Sequence, residues 1–237
     1  MELNILMPIL SEAVNWNKAR INFLAQFLVA LVKVRTVNFA EIATAFSGKA
    51  KTESKYKRIV RFFRSFTIDF TAMSKLIVAL LPMKNLNWVL TMDRTNWKIG
   101  KININILMLG IAYKGIAFPI FWMLLPKRGN SNTSERKQLI NRFLNVFSLS
   151  KIRCLVADRE FIGTDWFSYL VDKSILFRIR IKENMLVTNA RGIEVAVKNL
   201  FCHLQIGQSL ILHRRTVCGL QLHVIGLKAP LKNNFTF

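Results

Sequence analysis

Two short apolar runs each lead straight into an aspartate. Trp88-Val89-Leu90-Thr91-Met92 precedes Asp93, and Ile152-Arg153-Cys154-Leu155-Val156-Ala157 precedes Asp158. Runs of five or six residues, bounded by polar segments, have the length of strands and are too short for ordinary helices. Each should be buried up to its last residue and deliver its acid at the strand end. The chain holds 35 Lys+Arg against 13 Asp+Glu, so carboxylates in such positions stand out.

The rest of the pattern fixes the company these strands keep. Ile104 to Tyr113 and Ile116 to Leu125 are two further apolar runs joined by Lys114-Gly115, which reads as a hairpin turn. A polar loop from Pro126 to Thr133 follows, then a helix over about 134–147, the strand at 152–157, a helix over 164–172 and a strand over 175–181. Strands linked by crossover helices should run parallel and be buried on both faces. The order of three strands, helix, strand, helix, strand predicts a ribonuclease-H-like α/β fold. Its mixed sheet would carry the two acids on its first and fourth strands.

Upstream of this core the period is helical. Residues 15–34 place Trp16, Ala19, Phe23, Phe27, Ala30 and Leu31 on one stripe. A short helix over 38–46 has Asn38 as its N-cap and Glu41 as the capping-box partner. A third helix, about 54–66, sets Tyr56, Ile59, Val60, Phe62 and Phe63 among Lys55, Lys57, Arg58, Arg61 and Arg64. A fourth, about 69–81, stops at Pro82. Several short helices with one strongly basic member suggest a helix-turn-helix-like DNA-binding unit. Beyond Lys182 the chain alternates weakly, with strands expected over 192–197, 209–213 and 220–227 around a turn at Cys218-Gly219. The expected organisation is therefore a helical DNA-binding region over 1–84, an incomplete ribonuclease-H-like core over 85–183 and a partial β-rich insertion over 184–237.

Charge narrows the partner. A formal net charge of +22 accompanies 52% hydrophobic residues, a pairing that argues against disorder and for a folded protein with a cationic surface. Nucleic acid is the commonest partner of such a surface, with an anionic membrane as the rival. Ile21 to Val37 is interrupted by Gln26, Lys33 and Arg35, so no apolar stretch reaches spanning length. No export signal opens the chain, and the expectation is a cytoplasmic protein without a membrane partner. Cys154, Cys202 and Cys218 form no spaced metal pair, and the ten-residue recurrence of His203, His213 and His223 lacks finger spacing. All three histidines are expected on strands.

Carboxylates at the ends of adjacent strands suit hard divalent cations. Two such ions about 3.5–4 Å apart can activate a nucleophile and stabilise a leaving oxygen in phosphodiester chemistry. Asp93 and Asp158 are the candidate catalytic and metal-holding residues. Glu160 is the nearest further acid, though a salt bridge with a Lys or Arg suits it better. Arg94 and Lys98, just past the first acid, and Lys127 and Arg128 in the polar loop are candidates for contacts to the DNA backbone. Lys55, Lys57, Arg58, Arg61 and Arg64 are the candidates on the basic helix. Trp97 has two readings, a base-stacking surface or ordinary packing.

The segments Thr91-Met92-Asp93-Arg94-Thr95-Asn96-Trp97, Ile111-Ala112-Tyr113-Lys114-Gly115 with Pro119 and Trp122, and Val156-Ala157-Asp158-Arg159-Glu160-Phe161 together resemble the DDE transposases of bacterial insertion sequences. The likeness is to the group with a β-rich insertion before the final Glu. It makes Asp93 and Asp158 the first two catalytic carboxylates and implies two Mg2+ (or Mn2+) ions in the intact site. It also implies element-end and target DNA as partners, with a homodimer in the DNA complex. That group's third carboxylate, a Glu in a signature with Tyr, Arg and Lys, has no counterpart before Phe237. The expectation is a truncated chain that a C-terminal fragment could complement. The rival readings are a DNA-binding remnant that competes with an intact transposase, a divergent ribonuclease-H-like nuclease, and a basic membrane-associated protein.

Overall fold

The computed structural model describes residues 3–67, 69–83, 86–100 and 102–230. The chain divides into two compact units, Met1–Asn85 and Leu86–Phe237. The boundary expected between residues 84 and 85, and the tail from Leu231 to Phe237, lie outside the described residues.

The first unit holds α1 (Leu3–Ala13), α2 (Lys18–Val34), α3 (Phe39–Ala45), α4 (Thr52–Ser65) and α5 (Phe70–Leu80). The stripe between 15 and 34 does not mark α1, which carries Pro8 inside it. Asn17 and Asp69 cap α2 and α5 by accepting hydrogen bonds from Arg20 N–H, and from Thr71 and Ala72 N–H, respectively. Asn38 caps α3 through Ala40 N–H, but the reciprocal half of the expected box differs. Glu41 accepts from the Asn38 side-chain amide, while the Asn38 backbone N–H donates to Thr36 Oγ1.

Aromatic packing seats the basic helix. Ile59 of α4 is buried with Phe23, Phe27, Ile42 and Phe46. Phe62 stacks on Phe23 at 4.3 Å between ring centroids, and Phe63 stacks on Phe39 at 5.2 Å. Aromatic pairs at such separations add specific geometry to the burial of apolar area.

The second unit is built on a five-stranded sheet ordered β3-β2-β1-β4-β5. Its strands are β1 (Trp88–Ile99), β2 (Ile102–Tyr113), β3 (Ile116–Leu125), β4 (Ile152–Ala157) and β5 (Phe177–Ile179). β1 pairs antiparallel with β2, and β2 with β3. β4 lies parallel to β1 on its other side, and β5 parallel to β4. This order and polarity is the ribonuclease-H-like arrangement. The β2–β3 turn has both central residues left-handed, Lys114 at φ 48° and Gly115 at φ 81°, as a two-residue hairpin with the strands' twist requires. Gly110 on β2 is needed for close approach: a Cβ there would stand 2.9 Å from the Phe118 carbonyl oxygen.

Helices α6 (Thr133–Leu144) and α7 (Thr164–Asp172) cover one face of the sheet. Leu90, Met92, Leu107, Leu109, Leu155 and Ala157 are buried on that face, with Leu139, Ile140 and Phe143 of α6 and Trp166, Phe167 and Leu170 of α7. Phe143 meets Trp88 and Phe121 edge-on, and Phe167 stacks on Phe177. A complete capping box, Asn132 with Glu135, starts α6.

After β5 come β6 (Leu186–Thr188), β7 (Glu194–Ala196), the short helix α8 (Val197–Leu200), β8 (Ser209–Val217) and β9 (Leu220–Leu227). They form two separate two-stranded sheets, β6-β7 and β8-β9, and supply the β-rich insertion. His213 and His223 lie on β8 and β9, whereas His203 sits in a turn rather than on a strand.

Candidate functional site

β1 is twelve residues long and does not stop at Met92. Its polar half, Asp93 to Lys98, stays in the sheet because β2 pairs with it as far as Ile99. Asp93 is therefore inside β1, at the point where the parallel partner leaves. The last β1–β4 pair is Met92 with Ala157, so Asp93 and Asp158 stand one step beyond it on neighbouring strands. Side chains alternate along strands. Met92 and Ala157 are buried on the helix-covered face, and the two acids, both exposed, belong to the opposite one.

The local chemistry of the two acids is the same. Asp93 Oδ1 accepts from Arg94 N–H at 2.7 Å, and Asp158 Oδ1 accepts from Arg159 N–H at 2.7 Å. Arg180, just past β5, brings Nη1 to 3.9 Å from Asp158 Oδ1 and remains mostly exposed. On the other flank, Met108 pairs with Asp93 and Trp122 with Met108. One row across the sheet thus reads Trp122, Met108, Asp93, Asp158, Arg180. Arg180 has no mark in the sequence beyond following a short apolar run. Only the sheet order brings it beside Asp158.

The face beneath this row carries a buried polar network. Arg94 donates from Nε and Nη2 to the two carboxylate oxygens of Glu160, both at 3.0 Å. The side chains are 12% and 22% exposed. Arg94 also donates to Asn105 Oδ1 at 3.4 Å and to Asn130 Oδ1 at 3.2 Å. Asn105, itself buried, donates to the carbonyls of Lys127 and Gly129. Arg136 of α6 donates to Ser131 and to the Glu160 carbonyl, with its guanidinium 5.1 Å from the Phe161 ring centroid. Burial lowers the Arg136 pKa, and the charges of Glu160 and then Glu135 oppose that shift. Lys127 pairs with Glu135 at 2.8 Å.

These contacts sort the candidate residues. Arg94 and Lys127 direct their charges to carboxylates of this network, while Lys98 and Arg128 are exposed. Trp97 is 59% exposed, which leaves its indole open to solvent. Glu160 is turned into the Arg94 fork, away from Asp158, by the turn in which Phe161 N–H donates to the Asp158 carbonyl. Asn105 and Arg136 carry no sequence signal, since an Asn in an apolar strand and an Arg in a helix are both commonplace.

The basic helix divides the same way. Lys55 Nζ donates to the Phe46 carbonyl at 2.7 Å, and the Arg58 guanidinium lies over the Phe23 ring at 5.2 Å. Lys55 is half-buried. Lys57, in an exposed pair with Glu53, lines a shallow concavity with Tyr56, Val60, Arg61, Arg64 and Ser65. Arg61 and Arg64 have no hydrogen-bond or ion-pair partner among the described residues.

The donor set suits a hard divalent cation in kind, with two carboxylates side by side on one open face. Among the described residues no group of three or more His, Cys, Asp or Glu is placed to hold a metal. No single described helix is long and apolar enough to cross a membrane.

No family model matches the chain, and no curated protein does. Among solved structures, the catalytic core domain of HTLV-2 integrase in complex with magnesium, in its dimeric form, aligns at 14% identity. That alignment covers 41% of this chain and 63% of the other, with a TM-score of 0.31. The simian T-cell lymphotropic virus intasome in complex with the PP2A regulatory subunit B56 gamma aligns at 9% identity over 65% of this chain and 51% of the other, with a TM-score of 0.34. The chain thus spans about three fifths and one half of these proteins. Likenesses this distant carry none of the functional argument. What stands on the chain's own geometry is a ribonuclease-H-like sheet with two aspartates abreast on its open face.

Proposed function

We propose that this chain is a DDE-type transposase polypeptide. It would bind element-end DNA through its helical unit and present Asp93 and Asp158 to the scissile phosphodiester. The observation that carries this reading is the parallel β1–β4 register, which sets the two acids side by side on the face opposite α6 and α7. Asp93 and Asp158 would hold Mg2+ or Mn2+, which supplies nucleophile activation and charge neutralisation when bound. The residues' own part is to fix hard oxygen donors on sheet backbone rather than on a mobile loop. Arg180 would meet a DNA phosphate beside Asp158, and its exposed guanidinium has the donors for it.

On the helical unit, Lys57, Arg61 and Arg64 present charge along one side of α4. A helix packed as the later member of a short helix pair is the usual geometry for entering a DNA groove. Lys98 and Arg128 would add backbone contacts nearer the acids.

Two carboxylates fall one short of the Asp-Asp-Glu set, so residues 1–237 alone are expected to bind DNA without cutting it. Attraction to phosphates needs no finished site. The test pairs a gel-shift titration with a Mn2+-dependent cleavage assay on the element's own end, using Asp93→Ala to exclude contaminating nuclease. Binding without cleavage, with strand cutting restored by a supplied Glu-bearing C-terminal piece, supports the reading. Cleavage by the 237-residue chain that Asp93→Ala abolishes would show that it completes its ligand set by itself.

A further inference from the structure

The β1–β4 ladder ends on the pair directly before the two acids. Its last pair is Met92 with Ala157. Beyond it β1 stays paired with β2, while the chain after Ala157 leaves the sheet through a turn. The ladder therefore brings the two acids abreast, but no further pair follows them. The next contact between the two segments is the Arg94–Glu160 fork, with its two 3.0 Å bonds. Arg94 directly follows the first acid, and Glu160 lies two residues after the second.

We propose that Arg94 and Glu160 form a positioning clamp that extends the ladder past its last pair and fixes the separation of the Asp93 and Asp158 carboxylates. The proposal rests on the reading of these acids as a metal-holding pair.

A guanidinium–carboxylate fork fixes angle as well as distance, which a single hydrogen bond does not. Its position suits the task. Arg94 reaches the helix-covered face while Asp93, its neighbour, reaches the open one, so the clamp does not occupy space a substrate needs. Each jaw is braced: Arg94 by Asn105 and Asn130, Glu160 by Arg136, which holds its backbone carbonyl. Glu160, held by Arg94, acts here as a positioning residue and not as a third ligand.

The test measures Mn2+ affinity of the full 237-residue chain by electron paramagnetic resonance, well below the melting temperature of each variant. Arg94→Lys keeps the charge and removes the fork. It is expected to weaken Mn2+ binding about tenfold, the lower end for groups that orient metal ligands. Glu160→Gln should do the same, and the double variant should be no worse than either alone, since both break one clamp. Glu135→Gln removes an equal charge from the same network but spares the fork, and should change affinity less than about threefold, as a screened charge does.

Arg94→Lys binding Mn2+ as tightly as the unaltered chain would overturn the clamp, even if its melting temperature fell. Asp93→Asn separates the two ideas. If the unaltered chain binds no Mn2+, or if Asp93→Asn leaves binding intact, the metal-site reading fails and the clamp falls with it. If Asp93→Asn abolishes binding while Arg94→Lys does not weaken it, the site stands and the clamp alone is wrong.

Discussion

Replacing Lys57, Arg61 and Arg64 together by Ala should lower DNA affinity by about two orders of magnitude near ~0.1 M salt and flatten the salt dependence. Each phosphate left without its cation takes about 0.9 from the slope of log K against log salt, so removing three cations should reduce it by roughly 2.7. The expectation follows from the division of the α4 cations. The three replaced side chains line the exposed concavity, whereas Lys55 is half-buried and donates to the Phe46 carbonyl. Lys55→Ala alone, which removes the half-buried cation, should instead lower the melting temperature and leave the salt slope nearly unchanged. A gel-shift titration over several salt concentrations separates the outcomes. If Lys55→Ala alters the slope and the outward trio does not, α4 meets DNA by another face.

Arg94→Ala is expected to cost about 3 kcal/mol of stability, because it strands the Glu160 carboxylate in a largely buried setting. Part of that cost is relieved by Arg136, whose guanidinium sits nearby but bonds the Glu160 backbone carbonyl. Replacing both partners by Met should cost far less, since apolar groups of similar volume leave no unpaired charge. Urea denaturation of the two variants measures the difference. A double Met variant as unstable as Arg94→Ala would mean that shape at this position, and not charge pairing, holds the strand ends.

The architecture was legible where period and punctuation agreed. The hairpin at Lys114-Gly115, the helix over about 134–147, and the alternation of helix and strand after it all follow from local chemistry. They suffice for the ribonuclease-H-like sheet. The reach of β1 was not legible, because Arg94, Thr95, Asn96 and Lys98 are polar and gain their strand conformation only from β2 alongside. β6 and α8 are too short to show a period, and α1 contains a proline that interrupts the usual pattern.

At the site, the paired acids were visible because acids are scarce in this chain and both follow apolar runs. Arg94 was the residue most easily misread. A cation beside a candidate acid invites a DNA contact, yet its partner lies 66 residues away, and only tertiary structure brings Glu160 to it. The same holds for Arg180 and Asn105, and for the seating of Lys55 against the Phe46 carbonyl.

Everything proposed for the sheet depends on Asp93 and Asp158 holding divalent metal together on its open face. A crystal structure grown with Mn2+, with anomalous scattering recorded at the manganese edge, puts this to the proof. The expected result is an anomalous peak ligated by both carboxylates, which should lie roughly 4–7 Å apart, as ligands of one two-metal centre require. Carboxylates on opposite faces of the sheet, or manganese bound elsewhere with both aspartates free of it, would rule the shared metal site out.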